Sequence, residues 1–182
     1  KSKLIPLHPM LDEQEQVIQD SVVLARLETT RLKGRHNAIN VACAVTAAEL
    51  SGVDALTIQS ALEQFVNDPH RLELIETIDG TDYINDSKAT NVDSVFWALD
   101  AMKRPVVWIV GGLDKGNDYT VLEHLVRQKV KAIVCLGKDN FKVIRAFKDI
   151  VPVIVDTHSM ADAVAAAAGH AAPGDLVLLS PA

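Results

Sequence analysis

The sequence predicts an α/β chain built on a doubly wound, mostly parallel sheet, and three observations carry that prediction. Four apolar runs, VVWIVGG, AIVCLG, VPVIV and DLVLLS, are continuous rather than alternating, as strands are when helices cover both faces of their sheet. Helical stretches NVDSVFWALDAM, YTVLEHLVRQ, NFKVIRAFK and SMADAVAAAAGHA are interleaved with them. A hairpin precedes this alternation: LELIETI and TDYIN flank Asp79-Gly80, and a DG pair between β-prone runs is a strong short-range turn signal. In such a sheet ligands gather outside the carboxyl ends of the strands.

Along the chain, residues 1–20 (KSKLIPLHPMLDEQEQVIQD) are short apolar pieces broken by Pro and acidic residues, and suggest neither a regular element nor a function. SVVLARLETTRL reads as a strand with an irregular exit. Over 37–50, Ile39, Val41, Ala42, Val45, Ala48 and Leu50 cover a wide helical face, and Gly52 stands where a helix would stop. TIQSALEQF at 57–65 predicts a second helix, with Thr57 as N-cap and Ile58, Leu62 and Phe65 on one stripe. NDPHR at 67–71 stops it with turn-forming residues, which places a domain boundary there and divides the chain into 1–69 and 70–182.

The bulk numbers exclude several classes. The chain has 182 residues, 48% hydrophobic and 23% charged, so it is globular rather than disordered. A net charge of -6 argues against a general nucleic-acid or membrane-surface binder, so any phosphate binding must be local. No apolar stretch approaches the roughly 20 residues that span a bilayer, and neither a leader nor an initiator Met opens the sequence. The ends read as those of a fragment of something longer. Cys43 and Cys135 each sit in an apolar run, which predicts two buried thiols in a reducing cytoplasm. His8, His124, His158 and His170 have no metal-ligand spacing, so no metal site is expected here.

The candidate site is INDSKATN, the loop after the TDYIN strand. If that loop is extended, Asp86, Lys88 and Thr90 point the same way and aim an acceptor, a cation and a hydroxyl at one spot. Alternatively Thr90 or Asn91 caps the next helix and Lys88 is solvated. GGLDKGNDY follows the next strand, and its glycines would let backbone amides approach an anion or make a tight turn. Its Lys115 would face the same rim as Lys88, and two ammonium groups there suit a dicarboxylate or a phosphoryl group; otherwise it is a surface lysine. Asn37 and Asn40, three apart at a helix start beside His36, either cap that helix or read a base edge. His70-Arg71 could clamp a phosphate, or Arg71 could pair with a carboxylate.

Together GRHNAIN, DPHR, INDSKATN, GGLDKG and DLVLLSPA resemble, in order and spacing, the ATP-dependent Mur ligases. DSKATN resembles the D-glutamate-adding branch, because sister ligases and folylpolyglutamate synthase carry different, often His-containing, sequences there. The likeness spans nearly all of the chain after about residue 20. It implies that 1–69 is the end of a central ATP-binding domain and 70–182 a truncated, Rossmann-like C-terminal domain that brings in the amino acid. It implies ATP with Mg2+ as cofactors, with the P-loop and metal ligands upstream. The implied partners are D-glutamate and UDP-N-acetylmuramoyl-L-alanine, joined through an acyl phosphate in peptidoglycan precursor synthesis, in a cytoplasmic monomer. By the same resemblance Asn37 and Asn40 would contact adenine, Arg71 the nucleotide phosphates and Asp86 the ribose. Lys88, Thr90 and Lys115 would hold the D-glutamate carboxylates, with both lysines serving catalysis. A fragment of this kind is expected to be inactive alone. The competing expectations are a non-catalytic nucleotide- or metabolite-binding module, or another ligase of the Mur and folylpolyglutamate type.

Overall fold

The computed structural model describes residues 8–12, 14, 16–19, 22–30, 32, 35–112 and 116–182. The chain divides into two compact units, Lys1–Asn67 and Asp68–Ala182.

In the first unit β1 (Met10–Leu11), β2 (Gln16–Gln19) and β3 (Val22–Arg26) form an antiparallel meander in chain order. The sequence gives no sign of β1 and β2, because Asp12 interrupts the apolar pattern. Its side chain makes the turn: Oδ1 accepts from the N–H groups of Gln14 at 2.9 Å and Gln16 at 2.8 Å. Helix α1 (Arg35–Leu50) buries Ala38, Val41, Ala42 and Val45, a stripe at helical spacing. That stripe is narrower than expected. Ile39 and Leu50 are exposed, and so is Cys43, which corrects the reading of both cysteines as buried. Cys135 alone is buried, and desolvation pushes its thiol up to about 12. Helix α2 (Ala55–Gln64) begins two residues earlier than expected. Its N-cap is Asp54, which accepts from the Thr57 N–H at 3.0 Å and the Thr57 hydroxyl at 2.7 Å; Thr57 lies inside the first turn.

The second unit is a six-stranded sheet in the order β4-β5-β9-β6-β7-β8. Strands β4 (Glu73–Ile78) and β5 (Thr81–Asn85) are the predicted hairpin, and every other pairing is parallel. Asp79 and Gly80 have φ of 50° and 78°, the positive pair that a type I′ turn needs. Helix α3 (Val92–Ala101) leads to β6 (Val106–Val110), α4 (Glu123–Lys129) to β7 (Val130–Leu136), α5 (Phe141–Phe147) to β8 (Ile154–Thr157), and α6 (Met160–His170) to β9 (Leu176–Leu179). Strand β8 starts later than VPVIV suggests, because Pro152 has no N–H and pairing opens with the Ile133 N–H on the Val153 carbonyl at 2.9 Å.

Period two divides the core. Val106, Trp108 and Val110 pack with Val95, Leu99, Leu122, Val126 and Phe147 of the helical segments on one face. Val107 and Ile109 pack with Ala163 and Ala167 of α6 on the other. Continuous apolar runs thus serve two buried faces. Strand β9 returns to lie between β5 and β6, bringing its carboxyl end beside theirs.

Candidate functional site

Strand β5 ends at Asn85, and the loop that follows is a turn rather than an extended run: the Ala89 N–H donates to the Asp86 carbonyl at 2.9 Å. Side-chain alternation therefore stops there. Asp86 turns inward and is 7% exposed, whereas Lys88 and Thr90 are exposed. The expected single array of 86, 88 and 90 is thus replaced by one buried carboxylate and two outward groups. Asn91 caps α3, accepting from the Ser94 N–H at 2.8 Å.

Asp86 is a bracket. Its Oδ2 accepts from the Ser180 hydroxyl at 2.9 Å, and its Oδ1 accepts from the Leu72 N–H at 3.1 Å. Its own N–H donates to the Leu179 carbonyl at 2.8 Å. One side chain so ties the ends of β5 and β9 to the residue preceding β4. Burial pushes its carboxyl above the ordinary aspartate range, opposed by the Ser180 hydroxyl, the Leu72 amide and the charge of Arg71.

The segment before β4 is held from several sides. The His70 N–H donates to Glu73 at 2.7 Å, the His70 ring lies 2.9 Å from the Asn85 amide, and the Lys88 N–H donates to the His70 carbonyl at 3.2 Å. These contacts sustain left-handed backbone at His70 (φ 68°) and Leu72 (φ 46°), a conformation costing non-glycine residues roughly 1–2 kcal/mol each. Arg71, between them, is exposed. The Lys88 ammonium lies 3.4 Å from Asp68, and both side chains are solvent-accessible.

Beyond β6, Gly111 has a demonstrable role. Its φ is 150°, and a Cβ there would stand 2.1 Å from the Leu136 carbonyl oxygen. Glycine permits β6 and β7 to end in contact. A small cleft of about 10 Å³ opens beside it, lined by Gly112, Tyr119, Asn140, Lys142 and Ala182 among others. Buried Asn140 donates to Asp156 at 2.6 Å, while its Oδ1 is enclosed without a hydrogen-bond partner. The end of β9 is fixed by Trp108, whose indole N–H donates to the Ser180 carbonyl at 2.9 Å.

The carboxyl edge thus brings together Asp86 and Ser180, with Arg71 near enough to act on the Asp86 charge, while the exposed Lys88 ammonium lies beside Asp68. Lys115 and Gly34 lie outside the described residues, as does the side chain of His36. Asn37, half-buried, and Asn40, exposed, lie on α1 in the first unit. Ser180 and Asn140 were not singled out beforehand. Ser180 carries a usable signal: it is the first polar residue after an apolar strand, at the ligand-binding edge of the sheet. Among the described residues, no three His, Cys, Asp or Glu side chains gather as a metal-holding group, and no helix is long and apolar enough to cross a membrane.

Residues 70–182 match the family model described as "Mur ligase, glutamate ligase domain". The UDP-N-acetylmuramoylalanine–D-glutamate ligase of Cytophaga hutchinsonii is 50% identical over 93% of this chain and 38% of its own length. The enzyme of the same name from Christiangramia forsetii is 48% identical over 83% of the chain and 34% of its own. The chain therefore spans about a third of the length of these curated relatives. Among solved structures, MurF from Acinetobacter baumannii superposes with a TM-score of 0.64 at 20% identity, covering 81% of this chain and 35% of that one, a likeness of fold. The parallel sheet, the rim at its carboxyl edge and half-identical relatives agree, and the chain belongs to the Mur ligase family.

Proposed function

We propose that this chain is part of an ATP-dependent ligase that joins D-glutamate to UDP-N-acetylmuramoyl-L-alanine, a step in peptidoglycan precursor synthesis in the cytoplasm. The observation that carries this reading is the rim at the ends of β5 and β9, in a chain 50% identical to a protein named for that reaction. There a cation and a hydroxyl, Lys88 and Thr90, are exposed around a fixed bracket. A dianionic amino acid suits such a rim.

Lys88 is available for the role. Its pairing with Asp68 is long and exposed, worth at most about 1 kcal/mol, so a substrate carboxylate displaces Asp68 at little cost. Lys88, Thr90 and Lys115 hold the D-glutamate carboxylates. Arg71 meets the phosphates of ATP, which binds with Mg2+. Asp86 uses the lone pairs left by Ser180 and Leu72 for the ribose, and Asn37 and Asn40 take the adenine edge, where an amide can both donate and accept. ATP activates the substrate carboxylate as an acyl phosphate; the amine of D-glutamate attacks its carbonyl carbon, and phosphate leaves. The whole protein acts as a monomer, and this chain, about a third of its relatives' length, is inactive alone.

The test is phosphate release by the full-length protein with UDP-N-acetylmuramoyl-L-alanine and a panel of amino acids. D-Glutamate alone should support turnover, and Lys88→Ala should lower kcat/KM about 30- to 1000-fold, as loss of a charge-assisted contact of about 2–4 kcal/mol does. Equal turnover with other amino acids, or an unaffected Lys88→Ala enzyme, would overturn the assignment.

A further inference from the structure

Lys88 leaves the turn after β5 from a backbone whose three consecutive N–H groups are each tied. The Ser87 N–H donates to the side-chain Oδ1 of Asn85 at 3.0 Å, the Lys88 N–H to the His70 carbonyl at 3.2 Å, and the Ala89 N–H to the Asp86 carbonyl at 2.9 Å. The first of these acceptors belongs to a residue with no ligand assigned to it. Asn85 is the last residue of β5, and its backbone stands in register with Glu73 of β4 on one side and Leu179 of β9 on the other. A side chain on a backbone fixed from both sides can hold the turn in one place.

Donors and acceptors around Asn85 also fix the state of His70. An N–H can only donate, so Ser87 requires the amide oxygen of Asn85 and leaves the NH2 group to face His70. That group lies 2.9 Å from His70 Nδ1 and can only donate, so Nδ1 is the bare nitrogen of the ring and the proton sits on Nε2. Glu73 pulls the other way: its Oε2 stands 3.4 Å from Nδ1, farther than the amide, and already accepts the His70 N–H at 2.7 Å. Asn85 thus joins the Ser87 N–H to the His70 ring, and His70 returns through its own carbonyl to the Lys88 N–H. Asp86 is held separately, by Ser180, Leu72 and Leu179, so loss of this circuit loosens Lys88 and leaves the bracket in place.

We propose that Asn85 is a positioning residue for Lys88: with the bare Nδ1 of His70 as its acceptor, it sets where the ammonium meets a carboxylate of the incoming amino acid. The inference rests on the role given to Lys88 in the proposed function. A lysine side chain keeps its own freedom, so what the backbone fixes is the region its ammonium reaches without strain. A turn free to swing spreads that region, and ordering it again on binding costs affinity for the amino acid. The circuit is solvent-accessible and each bond in it is modest, so the effect is a weakening and not a loss of turnover.

The test has two arms. In the 182-residue chain at about pH 8, above the range in which free imidazoles titrate, the ring nitrogen shifts of His70 should show Nδ1 without a proton, and a proton on Nδ1 would overturn the proposal. In the full-length protein, Asn85→Ala should raise KM for D-glutamate about five- to twentyfold and leave KM for ATP within about twofold. The same substitution in a Lys88→Ala enzyme should add less than about twofold, because nothing is left to position. Asn85→Ser, whose hydroxyl accepts from the N–H two residues on but does not reach His70, serves if alanine disturbs the fold, and should give a smaller rise in the same KM. His70→Ala should weaken D-glutamate as Asn85→Ala does. His70→Asn should restore KM to within about threefold, since asparagine tolerates the positive φ and carries an acceptor where Nδ1 stands. An undiminished loss in the Lys88→Ala enzyme, or an unchanged KM for Asn85→Ala in a protein that Lys88→Ala cripples, would overturn the positioning role and leave the proposed function standing. Indifference to Lys88→Ala would instead overturn the role of Lys88 on which both rest.

Discussion

At the scale of single residues, Asp86 shows how burial changes what a carboxylate does. Its sequence position suggests an exposed acceptor, yet one tight turn points it inward and gives each oxygen one protein donor. Asp86→Ala strands the Leu72 N–H and the Ser180 hydroxyl, and should cost about 2–4 kcal/mol in urea unfolding. Asp86→Asn separates shape from charge. The folded-state pKa of Asp86 is raised, so the folded protein holds this proton more tightly than the unfolded chain. Its contribution is complete below the ordinary aspartate range and is lost as pH rises through the raised value. Asp82, held down by Thr77 and Arg104, and Asp175, where desolvation is outweighed only by the Lys131 and Ala172 hydrogen bonds and the charges of Lys131 and Arg104 together, act with the opposite sign. The parent's pH curve mixes these effects, and the difference between parent and Asp86→Asn isolates one. That difference should shrink as pH rises from about 4 towards neutrality, and a difference independent of pH would show that Asp86 keeps its unfolded pKa.

At the scale of elements, legibility followed the range of the interactions. The DG hairpin, the Asn91 cap and the continuous strands were readable because each depends on neighbours in sequence. The Asp86–Ser180 bracket was not, since it depends on a strand distant in sequence, whereas the β1–β2 turn and the Asp54 cap are local but ambiguous: Asp12 breaks the apolar pattern, and Asp54 and Thr57 are both cap-forming residues. Gly111 shows the limit within one residue. Sequence suggests a flexible, anion-cradling glycine, but its necessity comes from the Leu136 carbonyl of the next strand. Gly111→Ala puts a methyl group 2.1 Å from that oxygen, so β6 and β7 must separate at their carboxyl ends. Urea denaturation should show a loss of about 2–4 kcal/mol, well beyond the roughly 1 kcal/mol of an ordinary glycine substitution. Gly112→Ala is the control, because a Cβ there meets nothing within 4 Å although φ is also positive. Equal losses for the two would assign the effect to backbone conformation rather than to the close approach.

At the scale of the molecule, the cores decide what can fold by itself. The clusters around Trp108 and Phe147 and around Val107 and Ala167 draw every buried member from the second unit. The cluster around Val17, Val41 and Val45 draws all of its members from the first. All six strands of the large sheet also belong to the second unit. A chain of residues 68–182 therefore keeps its hydrophobic cores, its hydrogen-bond ladder and the Asp86 bracket, and is long enough to bury most of its apolar surface. Expressed alone, it should give a dispersed amide spectrum and one cooperative urea transition, with a stability of about 5–10 kcal/mol. The left-handed residues His70 and Leu72 make the cut position matter. Their conformation is sustained by Glu73, Asn85, Asp86 and Lys88, all retained by a cut before Asp68, whereas a cut after Leu72 removes His70 and the Leu72 N–H from the network. The shorter piece should lose about 1–3 kcal/mol relative to the longer, because Asp86 is left buried without one of its donors. Equal stability for the two pieces would show that the segment before β4 is not part of the folding unit.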